Sequence, residues 1–251
     1  VYQKWIDQHK DIFENITKYW ADVWENYKIA KDQAIPVLRK YKWFITQNLP
    51  ISIIFDVMHI EEIKEGKEAV DNLFIKHFSG NNWQNLEEMV NTWENCPILR
   101  KRLKIIKDCV EILKLDKSNS INEANVILPT LIAQIDGALT DYLNSQNIPW
   151  DCYYEDYIKN GRIERVGRKS QFKQYKPMFL TPQLDELVIV VFLDTLFQSS
   201  QNRQWLEPPI DFIRHRIIKG ESVTYGRKEY LIRVFMLLDY IANLRNHNIS
   251  D

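Results

Sequence analysis

The sequence predicts an all-α protein built as a multi-helix bundle. Only 7 Gly and 9 Pro occur in 251 residues, so turn signals are few, which favours long helices joined by short connections over many strands. Apolar residues recur at three- and four-residue steps along much of the chain, which is the spacing of one helix face. At 45% hydrophobic residues, the chain can bury a sizeable core.

The first predicted element is an amphipathic helix with an aromatic face. Its apolar positions are Trp5, Ile6, Phe13, Ile16, Trp20, Val23, Trp24 and Tyr27, and their helical spacing puts them on one side. Such a face suits packing or a protein partner. We interpret residues 1–117 as a helical, aromatic-rich N-terminal region of unknown role, and residues 118–251 as a second helical domain.

Three further patterns organise the N-terminal region. Residues 51–57 are short and β-branched enough to form either a buried strand or part of a helix. Ser79-Gly80 predicts the end of a helix that begins at Ile60. An apolar stripe from Leu99 to Leu113 predicts another helix, and its opposite face carries Arg100, Lys101, Arg102, Lys104 and Lys107. That basic face fits a solvated surface or a contact with a phosphate backbone.

The C-terminal domain opens on a long helix. Ser120, followed three residues later by Glu123, predicts a capping box at its start, and Pro129 predicts an interruption of its register. Gly137 in mid-helix costs helix propensity, which indicates close packing at that point. The last helix is predicted from about Arg227 to Arg245.

Composition narrows the class of function. With 33 Lys and Arg against 34 Asp and Glu, any contact with nucleic acid must come from a local patch. The three cysteines, Cys96, Cys109 and Cys152, form no C-x-x-C pair, so we expect no disulfide framework and no metal site, and a reducing cytoplasm as the setting. No apolar run approaches the roughly 20 residues of a membrane span. We therefore expect no membrane contact. No phosphate-loop or zinc-protease motif is present, so we also expect no cofactor.

One basic segment, from Lys159 to Lys176, is unusual for its charge. It holds a single acid, Glu164, and two interleaved rings, Phe172 and Tyr175. Basic side chains alternating with stackable rings suit single-stranded nucleic acid. The candidate RNA-binding residues here are Arg162, Arg165, Arg168, Lys169 and Lys173. The glycines at 161 and 167 are equally typical of a mobile surface loop between helices.

The strongest candidate for a phosphate site is the segment 212–222. Arg214, His215, Arg216 and Lys219 crowd into one short apolar helix end that Gly220 closes. Arg and Lys neutralise phosphate oxygens, and imidazole can both give and take a proton near neutral pH. On a continuous helix His215 and Lys219 share a face, about 5–6 Å apart. The simpler alternative is that these are ordinary polar residues, with Lys219 favourable at the helix C-terminus.

Several short motifs occur together in an order that resembles a known family. These are residues 134–137 (Gln-Ile-Asp-Gly), the apolar stretch 187–197, the segment 214–222, and Tyr225-Gly226 followed by residues 237–240 (Leu-Leu-Asp-Tyr). From Ser120 to Leu244 the chain resembles the C-terminal region of HEPN-type proteins. That family is an all-helical bundle found in bacterial toxins, abortive-infection proteins and CRISPR-associated ribonucleases. The resemblance implies metal-independent RNA cleavage through attack by the ribose 2′-hydroxyl, at a cleft that two copies form in a homodimer.

The chain departs from the family's motif at one position. Active members carry an Arg and a His with four to six residues between them; the Arg corresponds to Arg214, and Lys219 stands at the position of the His. A lysine amine in water has a pKa of about 10.4 and is charged at neutral pH, so it suits phosphate binding better than proton abstraction. His215, one turn away, can supply the acid–base group while Lys219 and Arg214 hold the phosphate.

Two classes of function remain after this comparison of motifs. The first is an endoribonuclease of a prokaryotic defence or toxin system, with Arg214, His215 and Lys219 as catalytic residues and Arg216 as an RNA contact. The second is a noncatalytic helical module that binds RNA, a nucleotide or a partner protein. The Lys at the motif position is the direct sequence argument for the second class.

Overall fold

The computed structural model describes residues 10–60, 66–115, 122–145, 154–159, 162–167 and 212–244, together with positions 187, 188, 191 and 196. Seven helices cover most of these residues. They are α1 (Lys10–Tyr41), α2 (Ile51–Met58), α3 (Gly66–Asn91), α4 (Leu103–Lys114), α5 (Glu123–Ser145), α6 (Arg214–Ile218) and α7 (Lys228–Ala242), with a 3-10 turn at Thr92–Asn95 after α3. The prediction of an all-α bundle is therefore confirmed. Among the described helices, none is both long and apolar enough to cross a membrane.

One β-hairpin accompanies the helices. Strands β1 (Tyr154–Lys159) and β2 (Arg162–Gly167) pair antiparallel, with Asp156 opposite Arg165 and Lys159 opposite Arg162. Part of the basic segment is thus a strand, where the alternation of glycine and charge suggested a loop. Arg168, Lys169 and Lys173 lie outside the described residues.

The ambiguous stretch 51–57 lies in α2 and is helical. The helix stop predicted at Ser79-Gly80 is also present, because α3 leaves helical geometry at Gly80 (φ −61°, ψ 155°). Three consecutive residues, Asn81, Asn82 and Trp83, then take positive φ values of 47°, 53° and 66°. Helical geometry resumes after them, so α3 is two helical segments joined by a left-handed turn.

This turn offers a test of backbone strain at an exposed site. An L-residue in the left-handed region costs about 1–2 kcal/mol, less for Asn and almost nothing for Gly. We expect Asn81→Ala to lower the free energy of unfolding by about 1 kcal/mol, whereas Asn81→Gly leaves it unchanged or raises it. Urea titration of both variants measures the order. Equal stability of the Ala and Gly variants would show that the turn is not strained at this residue.

The start of α5 differs from its prediction. Glu123 is the first helical residue, and Asn122 caps the helix by accepting the backbone N–H of Ala124 at 3.1 Å. The predicted capping box, which makes Glu123 the third helical residue, is wrong, and Ser120 lies outside the described residues. The helix also continues through Pro129, since tertiary packing outweighs the hydrogen bond that a proline removes.

The basic face of α4 is largely paired with acids. Arg102 donates to Asp141 of α5 at 2.6 Å, and its guanidinium fills the space that a side chain at Gly137 would need. Lys104 lies 3.3 Å from Asp108, and Lys107 lies 2.7 Å from Glu94. These contacts explain the mid-helix glycine, and they favour the interpretation of a solvated, ion-paired surface.

The hydrophobic core extends across both predicted regions. It includes residues from Ala30 to Leu244, so the two sides of the 117/118 boundary share one core. Helix α7 is its centre, because every residue from Tyr230 to Ile241 is buried. Trp43, Trp83 and Trp93 are buried in this core, so these three tryptophans pack the interior instead of forming a partner surface.

One buried ion cluster attaches α7 to the N-terminal helices. Arg233, 4% exposed, donates from Nη2 to Asp71 Oδ1 at 3.1 Å and to the Tyr41 carbonyl at 3.2 Å. Trp43 Nε1 donates to the same Asp71 oxygen at 2.7 Å, and the Arg233 guanidinium lies 4.4 Å from the Trp43 ring centroid. Lys67 bonds the other Asp71 oxygen from the surface at 2.6 Å. The Asp71 carboxylate thus accepts hydrogen bonds from two cations, Arg233 and Lys67, and from the indole of Trp43.

Candidate functional site

Helix α6 is a single short turn whose local geometry follows the sequence prediction. The backbone N–H of Lys219 donates to the His215 carbonyl at 3.0 Å, so His215 and Lys219 lie one turn apart on the same side. Gly220 then takes φ +70°. The Gly220 N–H bonds the Ile217 carbonyl and the Glu221 N–H bonds the Arg216 carbonyl, which is the Schellman pattern of a glycine-terminated helix.

Arg214, the first residue of α6, lies in the interior. It is 4% exposed and forms an ion pair between its Nη1 and Asp136 Oδ1 of α5. Its backbone N–H donates to the Leu196 carbonyl at 2.9 Å. The extended conformation of Ile213 (φ −105°, ψ 121°) precedes this inward turn. Arg214 therefore joins α6 to α5.

The guanidinium of Arg214 also contacts the imidazole next to it. Arg214 Nη2 lies 3.2 Å from His215 Nε2. A guanidinium only donates hydrogen bonds, so Nε2 must be the acceptor. A hydrogen bond between these two atoms requires the tautomer of His215 with its proton on Nδ1, and Asp136 holds the Arg214 guanidinium from its other side.

Asp136 was absent from the catalytic residues chosen from the sequence, where it appears only inside a resemblance motif. A signal for it does exist, because it is a carboxylate within the run from Leu131 to Leu139, most of which is buried. Its side chain is 30% exposed, so it stands at the edge of the core. The pairing with Arg214 joins residues 78 positions apart, which no local pattern predicts.

The outer surface of the site combines charge with exposed apolar residues. Lys219 is exposed and Arg216 is partly exposed, with its Nε 3.9 Å from Glu221. Ile218 and Val223 are 53% and 79% exposed. An ammonium beside apolar side chains can bind a phosphate group or a complementary protein surface.

The loop after α6 is fastened to the start of α5. Tyr225 donates from its hydroxyl to the Asn125 carbonyl at 3.0 Å, and Asn122 donates to the Gly226 carbonyl at 2.7 Å. A side chain at Gly226 would overlap Asn125, which explains the glycine. The motifs at 134–137, 214–222 and 225–226 therefore lie on contacting elements, α5, α6 and this loop.

The other sequence-predicted site residues lie elsewhere along the chain. Arg162 and Arg165 lie in β2, where they stand opposite Lys159 and Asp156 of β1. Among the described residues, no group of three His, Cys, Asp or Glu side chains is placed to hold a metal ion. Of the candidates described, the structure brings together Arg214, His215, Arg216 and Lys219 on α6 and its C-terminal cap.

The chain was compared with protein-family models, with curated proteins and with solved structures, and none of them matched. The function is therefore inferred from the chemistry of α5, α6 and the loop that follows α6.

Proposed function

We propose that this chain is a HEPN-like, RNA-associated protein that acts as a metal-independent endoribonuclease, with the end of α6 as its phosphate site. The observation that supports it best is the arrangement of Asp136, Arg214 and His215. A buried guanidinium paired with a carboxylate lies 3.2 Å from His215 Nε2, and the neutral imidazole that can accept a hydrogen bond from it is also the form that can accept a proton. The order of motifs resembling HEPN proteins supports the same function.

Each residue has a distinct part in the proposed reaction. Lys219, exposed at the helix end, attracts the phosphate by its charge. A phosphate oxygen that replaces Nε2 as the acceptor for Arg214 Nη2 frees the imidazole of His215. His215 then takes the proton of the ribose 2′-hydroxyl, the 2′ oxygen bonds to phosphorus, and the bond to the 5′ oxygen breaks. The imidazolium returns the proton to that leaving oxygen.

A homodimer is part of this proposal. Ile218 and Val223, both exposed beside Lys219, would meet a symmetry-related copy, since isologous dimers are the commonest assembly. A second copy would bring a second α6 end to the same cleft, as the HEPN resemblance implies.

One observation favours a second candidate, a noncatalytic module that binds RNA, a nucleotide or a partner protein. The lone pair of His215 Nε2 is occupied by Arg214, and a charged Lys219 stands where the family has a base. In this alternative the same surface binds phosphate and no proton moves.

The decisive experiment incubates single-stranded RNA with the protein in the presence of a metal chelator. We expect the wild type to cleave and His215→Ala to reduce the rate by about 10²–10⁴-fold, because a positioned acid–base group is lost. Lys219→Ala should weaken RNA binding and reduce its salt dependence by about one phosphate contact. Lys219→His restores the motif and should cleave at least as fast as the wild type.

Lys104→Ala is the matched control, because Lys104 is an exposed lysine already paired with Asp108 and should leave binding and cleavage unchanged. RNA binding without cleavage in the wild type, His215→Ala and Lys219→His proteins would favour the noncatalytic module. Absence of RNA binding, or equal loss in the Lys104 and Lys219 variants, would contradict the RNA-associated function and leave a module that binds a partner protein.

A further inference from the structure

A second buried polar centre surrounds Asp239 in the middle of α7. This carboxyl is completely buried, and its Oδ1 accepts Asn48 Nδ2 at 2.6 Å and Trp93 Nε1 at 2.7 Å. Asn243, one turn along α7, adds a longer bond of 3.3 Å to the same oxygen. Three separate parts of the chain therefore meet at one oxygen atom: the segment between α1 and α2, the 3-10 turn, and α7.

The other oxygen of Asp239 is in a different situation. Among the described residues, neither Oδ2 nor the buried hydroxyl of Thr46 has a hydrogen-bond partner. The Thr46 hydroxyl is near enough to lower the pKa of the carboxyl, although the two oxygens do not meet in hydrogen-bonding geometry. A carboxylate oxygen that is buried without a donor destabilises the charged form of the group. A proton on Oδ2 removes that charge.

The groups that act on this carboxyl from the surrounding elements are neutral. The segment between α1 and α2 contributes Thr46 and Asn48, and the 3-10 turn contributes Trp93. From α3 and α5, which also pack against α7, no charged group among the described residues acts on it. Burial raises the pKa of Asp239, and the hydrogen bonds from Asn48 and Trp93, together with the nearby Thr46 hydroxyl, oppose that effect.

We propose that Asp239 is a proton-controlled latch: while Oδ2 carries a proton it holds residues 46–48 against α7, and loss of that proton releases them. Release of residues 46–48 lowers the free-energy cost of the buried charge, because water can then hydrate the carboxylate. The latch would make the attachment of the N-terminal helices to α7 weaken as the pH rises. It does not depend on RNA cleavage, since the residues that bond Asp239 Oδ1, which are Asn48, Trp93 and Asn243, lie outside α6.

The direction of the pH effect follows from the raised pKa. A carboxyl whose pKa is higher in the folded protein than in the unfolded chain stabilises the fold fully below the unfolded pKa, near pH 4. That contribution is lost as the pH rises towards the folded pKa, by about tenfold in the folding equilibrium constant per pH unit. Asp239→Asn imitates the protonated form at every pH, because its amide carries no charge and its oxygen can keep the donors of Oδ1.

The test compares the wild type with Asp239→Asn by urea unfolding between pH 4 and pH 9. We expect near-equal stability at pH 4 and an increasing advantage of the Asn variant above it, until the folded pKa is passed. Amide exchange of residues 43–49 in the wild type should accelerate over the same range, beyond the intrinsic pH dependence of exchange, and should not do so in the variant. Stability curves that run parallel, or an Asn variant less stable at every pH, would overturn the latch.

Thr46→Val provides a second test that keeps the shape of the side chain. The Thr46 hydroxyl lowers the pKa of Asp239, so its removal should move the pH-dependent loss of stability to higher pH. An unmoved transition would also overturn the proposal, because it would mean that Asp239 and Thr46 do not act on each other.

Discussion

Asp71→Ala is expected to lower the free energy of unfolding by about 3–5 kcal/mol, because it leaves a buried guanidinium without its carboxylate. Arg233 is 4% exposed, and Asp71 is its acidic partner at 3.1 Å. Burial lowers the pKa of Arg233, and the charge of Asp71 opposes that effect. The same substitution removes the acceptor of the buried Trp43 Nε1. Denaturant unfolding followed by tryptophan fluorescence measures the loss.

Lys67→Ala is the matched control for this prediction. Lys67 binds the same carboxylate, but its side chain is 59% exposed, so solvent screens the pair and the expected loss is below about 1 kcal/mol. A combined Asp71→Ala and Arg233→Met variant should recover part of the stability lost in Asp71→Ala, since no unpaired charge is left in the core. Similar losses for Asp71→Ala and Lys67→Ala would contradict the importance of burial here.

The second large effect is expected at Arg214. We expect Arg214→Ala to lower the free energy of unfolding by about 2–3 kcal/mol. This is less than the effect at Asp71, because the Asp136 side chain is 30% exposed and can be hydrated after its partner is lost. The variant also removes the donor that orients His215. Thermal unfolding of the variant measures the stability, and RNA assays should be run well below its unfolding midpoint.

Arg216→Ala serves as the control for Arg214. Arg216 is two residues away on the same helix, its side chain is 30% exposed, and its acidic partner Glu221 is 3.9 Å away. Its replacement should cost less than about 1 kcal/mol. A double-mutant cycle with Asp136→Ala should give a coupling energy for Arg214 and Asp136 above about 1 kcal/mol. A coupling near zero would contradict the role of Asp136 as the residue that positions Arg214.

The elements that the sequence predicted well are those with strong local signals. The helix stop at Gly220 depends on a glycine that takes φ +70° without steric cost, and the stop at Gly80 falls where the backbone becomes extended. The last helix, predicted from about Arg227 to Arg245, is present as α7 (Lys228–Ala242). The errors occur where local signals compete: Asn122 and not Ser120 caps α5, helix α5 passes through Pro129, and residues 162–167 form a strand. In each case tertiary contacts or neighbouring residues outweigh one local preference.

The sequence by itself determined the fold class, the end of α6 at Gly220 and the one-turn spacing of His215 and Lys219, because all three follow from backbone preferences within a few residues. The tertiary structure decided which polar groups meet. It turned Arg214 inward to Asp136, 78 residues away, and it placed Asn48 on Asp239, 191 residues away. Periodicity identifies which face of a helix is buried, but it carries no information about which distant side chain will satisfy a polar group on that face. Pairing of buried donors and acceptors is therefore settled only when the helices pack.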